Sequence, residues 1–245
     1  MKAMIFAAGH GTRLHPYTAT KPKALVEING VTLLELAVKK LIFHGFNQIV
    51  INVHSFGDQI IEFVKKHSFE AQIFISDERE QLLDTGGGLI KALPFFDDGM
   101  PFLVYNVDIV TTTDLRKFYD QHLVSRPLAS LLVRKRETSR YLLFNKEMSL
   151  CGWENRSTGE KIWVDETMVD YESFAFSGIH VVEPRIIKHQ SSDETCFPLI
   201  PFYLKSAKLE PILGIEDLDS VWFDVGKIPQ LTEVAEYLKN EKYPD

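Results

Sequence analysis

An α/β fold is predicted for this chain: a Rossmann-like three-layer sandwich with a mostly parallel mixed sheet, followed by a second half richer in strands. Three observations predict it. Short apolar runs alternate with amphipathic runs from Ala3 to Asp108. The first run, Ala3–Ala8, is apolar throughout, as in strands buried on both faces. After about residue 116 the spacing changes, and several short β-branched or aromatic runs follow one another.

The elements follow in order. Leu33–His44 places Leu34, Ala37, Val38 and Leu41 on one helical face. Gln48–Val53 is short and β-branched, hence a strand. Asp58–His67 reads as a helix with Ile61, Phe63 and Val64 making apolar contacts, and Gln72–Ser76 as a strand. Gly87–Leu93 reads as a helix stopped by Pro94. Pro101–Val107 is a strand ending at Asp108, and Thr111–Thr113 with Asp114 offer N-cap chemistry to a following helix. Ala129–Arg134 is a strand, Tyr141–Phe144 and Ser149–Trp153 flank a turn at Asn145-Lys146, and Phe174–Val182 is a longer strand containing Gly178. Val221–Asp224 is a short strand and Gln230–Lys239 a closing helix. The βαβαβαβ order implies a doubly wound sheet with ligands at the carboxyl ends of its strands. Gly9-His10-Gly11 and Asp108 both occupy such ends. No repeat, low-complexity segment or long Pro/Gly/Ser linker divides the chain, so one domain over 1–245 is expected, with halves of about 1–115 and 116–245.

A net charge of −7 without a basic stripe argues against nucleic acid as a partner. The chain has no apolar run of about 18 residues and no basic segment leading into an apolar one at its start. No membrane association is expected, and the cytoplasm is the expected compartment. No feature of the sequence specifies an oligomeric state. Cys151 and Cys196 have neither metal nor disulfide spacing and are expected to be buried thiols. His15, His44, His54, His67, His122 and His189 form no metal spacing, and His180 is expected to face the core.

Gly9-His10-Gly11-Thr12-Arg13 follows the first strand, and Pro22-Lys23 comes ten residues later. Small residues at a strand end expose backbone N–H groups that can wrap a phosphate chain, and Arg13 and Lys23 add positive charge. A dinucleotide fingerprint fails here: Leu14 stands where a third glycine is needed, and Asn52 and His54 stand where an acidic residue is needed. A P-loop fails as well, on both its spacing and its Lys-Ser/Thr ending.

A longer pattern fits throughout: Ala7, Ala8, Gly9, Gly11, Thr12, Arg13, Pro16, Thr18, Pro22, Lys23, Leu25 and Gly30. In these residues the chain resembles the sugar-1-phosphate nucleotidyltransferases, over residues 1 to about 235. It looks most like their short bacterial members, the N-acetylmuramate-1-phosphate uridylyltransferases and mannose-1-phosphate guanylyltransferase-like enzymes. The resemblance implies the nucleotide-diphospho-sugar transferase type of sheet, with a nucleotide-binding first half and a sugar-binding second half. It implies Mg²⁺-dependent transfer of a nucleoside monophosphate from an NTP (UTP or GTP) to a sugar 1-phosphate, with pyrophosphate released. Both reactants are anions, so charge neutralisation and in-line positioning are the main tasks. Arg13 is expected to clamp the leaving β- and γ-phosphates, and Lys23 to approach the α-phosphate.

Further residues are assigned by the same resemblance. Ala7, Ala8, Gly9, Gly11, Thr12, Gln81, Thr85 and Gly86 are expected along the nucleotide, with Glu78, Glu80 and Gln81 as candidates to read the base. Asp108 and Asp224 are expected to hold Mg²⁺ with phosphate oxygens and water. Asn106, Gly152, Glu154 and Gly178 are expected at the sugar. Val107 and Lys227 depart from the family pattern at two of these elements. Two alternatives remain open on the sequence: a phosphocholine-type cytidylyltransferase, which shares the N-terminal signature, and a non-catalytic sugar-nucleotide sensor of the same fold.

Overall fold

A computed structural model describes residues 1–166, 170–191 and 194–240. Its elements are β1 (Lys2–Phe6), β2 (Glu27–Ile28), β3 (Val31–Thr32), α1 (Leu33–Phe43), β4 (Gln48–Val53), α2 (Gly57–Lys66), β5 (Gln72–Asp77), α3 (Asp84–Ala92), β6 (Phe102–Asn106) and β7 (Ile109–Thr111). They continue with α4 (Leu115–Ser125), β8 (Ala129–Arg134), β9 (Arg140–Phe144), β10 (Leu150–Asn155), β11 (Glu160–Trp163), β12 (Glu172–Val182), α5 (Leu199–Ala207), β13 (Ile212–Glu216), β14 (Trp222–Asp224) and α6 (Ile228–Asn240). The chain forms two compact units. One comprises Met1–Leu82, Val104–Arg116 and the chain from Ser220 on; the other comprises Leu83–Leu103 and Lys117–Asp219. The expected division near residue 115 is therefore crossed twice.

In the first unit β1 pairs with β4, and β4 with β5, in parallel, with Met4 opposite Val50 and Val50 opposite Phe74. β6 lies on the other side of β1. Ala3, Met4, Ile5, Ile49, Ile51 and Val53 are buried, the near-continuous burial of strands covered on both faces. α1 starts where Thr32 Oγ1 accepts the Glu35 N–H, 3.1 Å away, and it buries Leu33, Leu34, Ala37, Val38 and Leu41. β7 and β14 make a two-stranded antiparallel ribbon. Thr111 belongs to that ribbon and not to a helix cap: its hydroxyl donates to the Val221 carbonyl at 2.7 Å.

The second unit is antiparallel for the most part. β9 pairs with β10 and β12, β10 with β11, and β12 with β8, while β13 joins β8 in parallel. Its core holds Phe96, Phe102, Phe144, Phe174 and Tyr203. α3 begins at Asp84, three residues before the expected start, and Pro94 sits in a 3-10 turn that continues it. His180 is buried as expected, and burial pushes it down to about 3. Cys151 is buried, whereas Cys196 is exposed, contrary to the expectation of two buried thiols. Among the described residues no helix is long and apolar enough to cross a membrane.

Candidate active site

β1 ends at Phe6, and the chain leaves it through buried Ala7 and Ala8 into exposed Gly9 and His10. Gly11 has φ 63°, a left-handed conformation that favours glycine, and a Cβ there would lie 2.9 Å from Lys23 Cβ. Two bonds close the turn on the Gly11 carbonyl, one from Leu14 N–H at 3.0 Å and one from Thr18 Oγ1 at 2.9 Å. Thr12-Arg13-Leu14 form a 3-10 turn, with Leu14 buried and Thr12 and Arg13 exposed. Pro22 is extended and precedes a second 3-10 turn that begins at Lys23. The spacing from Gly11 to Lys23 thus lets the Lys23 stem pack on the turn.

The carboxylates come from the ribbon. β14 sets Asp224 opposite Ile109, and Val225 N–H donates to the Asp108 carbonyl at 2.8 Å. Lys23 Nζ donates to Asp108 Oδ2 in an ion pair whose side chains are 11% and 18% exposed. A Cβ at Gly226 would lie 2.8 Å from Asp224 Oδ1 and 3.1 Å from Arg13 Nη2, so glycine leaves room there for a carboxylate and a guanidinium. Arg13, Lys23, Asp108 and Asp224 all belong to the first unit. Among the described residues no three His, Cys, Asp or Glu side chains are grouped to hold a metal. Asp108 and Asp224 give an all-oxygen pair, the hard donor set that fits Mg²⁺ when phosphate and water supply the other ligands.

Beneath the loop lies a pair, Asn52 and Glu78, whose contact sequence reasoning did not foresee. Asn52 Oδ1 accepts the Ala7 N–H at 2.7 Å, and Asn52 Nδ2 donates to Glu78 Oε1 at 2.8 Å. Glu78 has no exposed surface, which removes it as a reader of the base. Glu80 and Gln81 are exposed, and the Gln81 N–H donates to the Glu78 carbonyl at 3.1 Å. The available signal for Asn52 was a lone amide within the apolar run Ile49–Val53. Asn106 ends β6, and the Val107 N–H donates to the Phe6 carbonyl at 3.2 Å.

The remaining expected residues belong to the second unit. The Thr85 hydroxyl accepts the Leu199 N–H at 3.0 Å, and the Gly86 N–H donates to the Phe197 carbonyl at 2.9 Å. Gly152 faces β11 closely: a Cβ would lie 2.9 Å from Trp163 and 3.0 Å from the Ile162 carbonyl. Gly178 takes φ 76°, and the pairing of β12 with β8 shifts register across it. Glu154 is buried and already engaged on both oxygens, by Arg156 at 2.7 Å and Ser173 at 3.3 Å on Oε1 and by Lys161 at 3.2 Å on Oε2. Burial pushes this carboxyl up, but the bonds from Arg156 and Lys161 outweigh it and hold it below its ordinary value.

The family model described as Nucleotidyl transferase matches residues 2–145. The chain belongs to the nucleotidyl transferase family. It is 29% identical to the N-acetylmuramate alpha-1-phosphate uridylyltransferase of Caulobacter vibrioides, an alignment covering 96% of this chain and 95% of that protein. It is 27% identical to the mannose-1-phosphate guanylyltransferase catalytic subunit beta of Dictyostelium discoideum, over 93% of this chain and 61% of that one. The crystal structure of HddC from Yersinia pseudotuberculosis complexed with GMP-PN superposes with a TM-score of 0.77 at 19% identity, over 97% of this chain and 99% of that one. That likeness gives the fold. In this nucleotidyltransferase the matched span contains Arg13, Lys23 and Asp108; Asp224 lies beyond it and is brought to Asp108 by the β7–β14 ribbon.

Proposed function

We propose that the protein transfers a nucleoside monophosphate from UTP or GTP to a sugar 1-phosphate, releasing pyrophosphate. The observation that carries this is the first unit's assembly: the Lys23 stem packs on the Gly11 turn, the Lys23 head pairs with Asp108, and Arg13 and Asp224 meet at Gly226. UTP is the favoured nucleotide, since the uridylyltransferase relative aligns over nearly its whole length. An oxygen of the sugar phosphate attacks the α-phosphorus, the bond from that phosphorus to the bridging oxygen breaks, and pyrophosphate leaves. The Gly9–Gly11 backbone and Thr12 cradle the phosphates, and Arg13 neutralises charge growing on the leaving group. Lys23 leaves Asp108 to meet the α-phosphate and the incoming phosphate. Asp108 and Asp224 would hold Mg²⁺, which supplies charge neutralisation at the reacting phosphates when bound.

The Thr85 hydroxyl donates to Asp84 Oδ1 at 3.2 Å and the Gly86 N–H to the Phe197 carbonyl, so their part in nucleotide binding is shape and not donation. Asn106, Gly152 and Gly178 are assigned to the sugar side. Glu154 acts there by holding Arg156 and Lys161. A cytoplasmic location follows from the need for nucleoside triphosphates. The decisive experiment is pyrophosphate release across four nucleoside triphosphates and a panel of sugar 1-phosphates, with Lys23→Ala and Asp108→Ala alongside wild type. Each variant should lose about a hundredfold to a thousandfold in turnover while keeping the wild-type circular dichroism spectrum. Wild-type turnover in either variant rejects the mechanism. Nucleotide binding without turnover in the wild type would favour the sensor.

A further inference from the structure

Asn52 and Glu78 link the carboxyl ends of three strands. Phe6 stands opposite Asn52 in the parallel pairing, and the ladder of β1 ends there. The next donor, Ala7 N–H, is taken up by the Asn52 side chain, which acts as one more rung. The amide can serve only if its oxygen faces Ala7. Glu78, an acceptor when ionised, takes the Asn52 NH₂ at 2.8 Å and so selects that orientation. Glu78 is itself fixed, its N–H donating to the Val53 carbonyl at 2.8 Å just past the end of β5. Ala7 and Asn52 are each 3% exposed and Glu78 0%, so the relay is shielded from water, where hydrogen bonds are stronger and half-satisfied groups costly.

A second hold lies on the other side of Gly9. Ser55, two residues beyond the end of β4, has its hydroxyl 2.8 Å from His10 Nδ1 and 3.1 Å from His54 Nδ1. Between the two holds, no described residue other than Gly9 and its chain neighbours comes within 4 Å of the position a Gly9 Cβ would take. The loop is therefore gripped at Ala7 and His10 with an open crest between them.

We propose that Asn52 and Glu78 are positioning residues for nucleotide: they fix the Ala7 amide and so set the Gly9–Arg13 backbone before a triphosphate arrives. This rests on the reading of Gly9–Arg13 as the triphosphate cradle. A cradle ordered in advance spares the nucleotide the cost of ordering it, so the loss appears in binding.

The test is titration of the full chain with UTP and GTP, each with Mg²⁺, together with amide hydrogen exchange of Ala7. Asn52→Leu should weaken the better-bound nucleotide by about tenfold or more and expose the Ala7 amide to exchange. Glu78→Gln keeps an acceptor for Asn52 and should stay within about threefold of wild type. Val50→Ala, on the same strand and 2% exposed, should lower the melting temperature with nucleotide affinity unchanged. If Asn52→Leu does not fold, Asn52→Ser is read by the same criteria. Wild-type affinity in the Asn52 variant, or an equal loss in Val50→Ala, overturns the proposal. A wild-type chain that binds neither nucleotide overturns the functional reading first, which distinguishes the two failures.

Discussion

Gly9-His10-Gly11 and Gly86-Gly87-Gly88 are both glycine-rich segments that follow a strand, and both were expected beside nucleotide. Their glycines answer different demands. At Gly9 a Cβ would meet no described residue beyond its chain neighbours within 4 Å, and Gly11 supplies the left-handed residue of a turn. At Gly86 a Cβ would lie 2.4 Å from the Phe197 ring, and at Gly87 2.1 Å from the Thr195 carbonyl oxygen. The N–H groups of Gly86 and Gly87 both donate to the Phe197 carbonyl, at 2.9 and 3.2 Å. In the first segment Gly9 faces open space and Gly11 makes the turn on which Lys23 packs; in the second, glycine lets α3 pack against a neighbouring stretch of chain. Room left empty points to a ligand, and room already filled points to the fold.

Substitutions can break or sharpen this contrast. Gly87→Ala should have the largest effect on stability. Helix propensity alone favours alanine by about 1 kcal/mol, but the clash is with backbone and should cost about 3 kcal/mol, a fall in Tm on the order of 10 °C by calorimetry. A variant as stable as wild type would mean that Thr195 yields easily and the contrast fails. Gly11→Ala should cost about 1–2 kcal/mol for its positive φ. It should also lower turnover, because the new methyl displaces the Lys23 stem. Acid should weaken the second unit more than the first. Burial pushes His122 and His44 down to about 4, outweighing the nearby carboxylates of Glu183 and Asp114, and burial alone pushes His180 to about 3, all from 6.5. These groups stay neutral in the folded chain while the unfolded chain takes up protons. Stability is therefore full above pH 6.5 and falls as pH drops towards 4 and 3. Each group contributes on the order of 1 kcal/mol per pH unit at most. His180→Phe should flatten the dependence of Tm on pH between 6.5 and 5, and an unchanged slope would place the titration elsewhere. Gly9→Ala should change stability by less than about 0.5 kcal/mol and still raise the KM for nucleotide.

Two strands were legible because their short runs are dominated by apolar residues: Gln48–Val53 and Ala129–Arg134 match the folded strands residue for residue. The phosphate-side residues were legible because their spacing is long and fixed. Other features depend on partners distant in the chain. β7 is three residues long and exists through its pairing with β14, so Thr111 and Thr113 read as cap residues until that pairing is known. Glu78 reads as a candidate for the base because nothing local reveals the Asn52 amide that meets it. Glu154 likewise reads as a free acceptor until Arg156, Lys161 and Ser173 are seen around it.

The ribbon that brings Asp224 to Asp108 has a consequence for how the protein is made. Thr111 and Val221, bonded across it, are separated by 110 residues. During synthesis the phosphate loop, Lys23 and Asp108 emerge early, but the first unit stays unfinished until the second has been translated and β14 with α6 has followed. The nascent chain thus holds Arg13, Lys23 and Asp108 long before Asp224 is made. A chain halted before Val221 would carry the recognisable N-terminal signature and lack the ribbon, so competence for catalysis waits for β14, 110 residues beyond the Thr111 it meets.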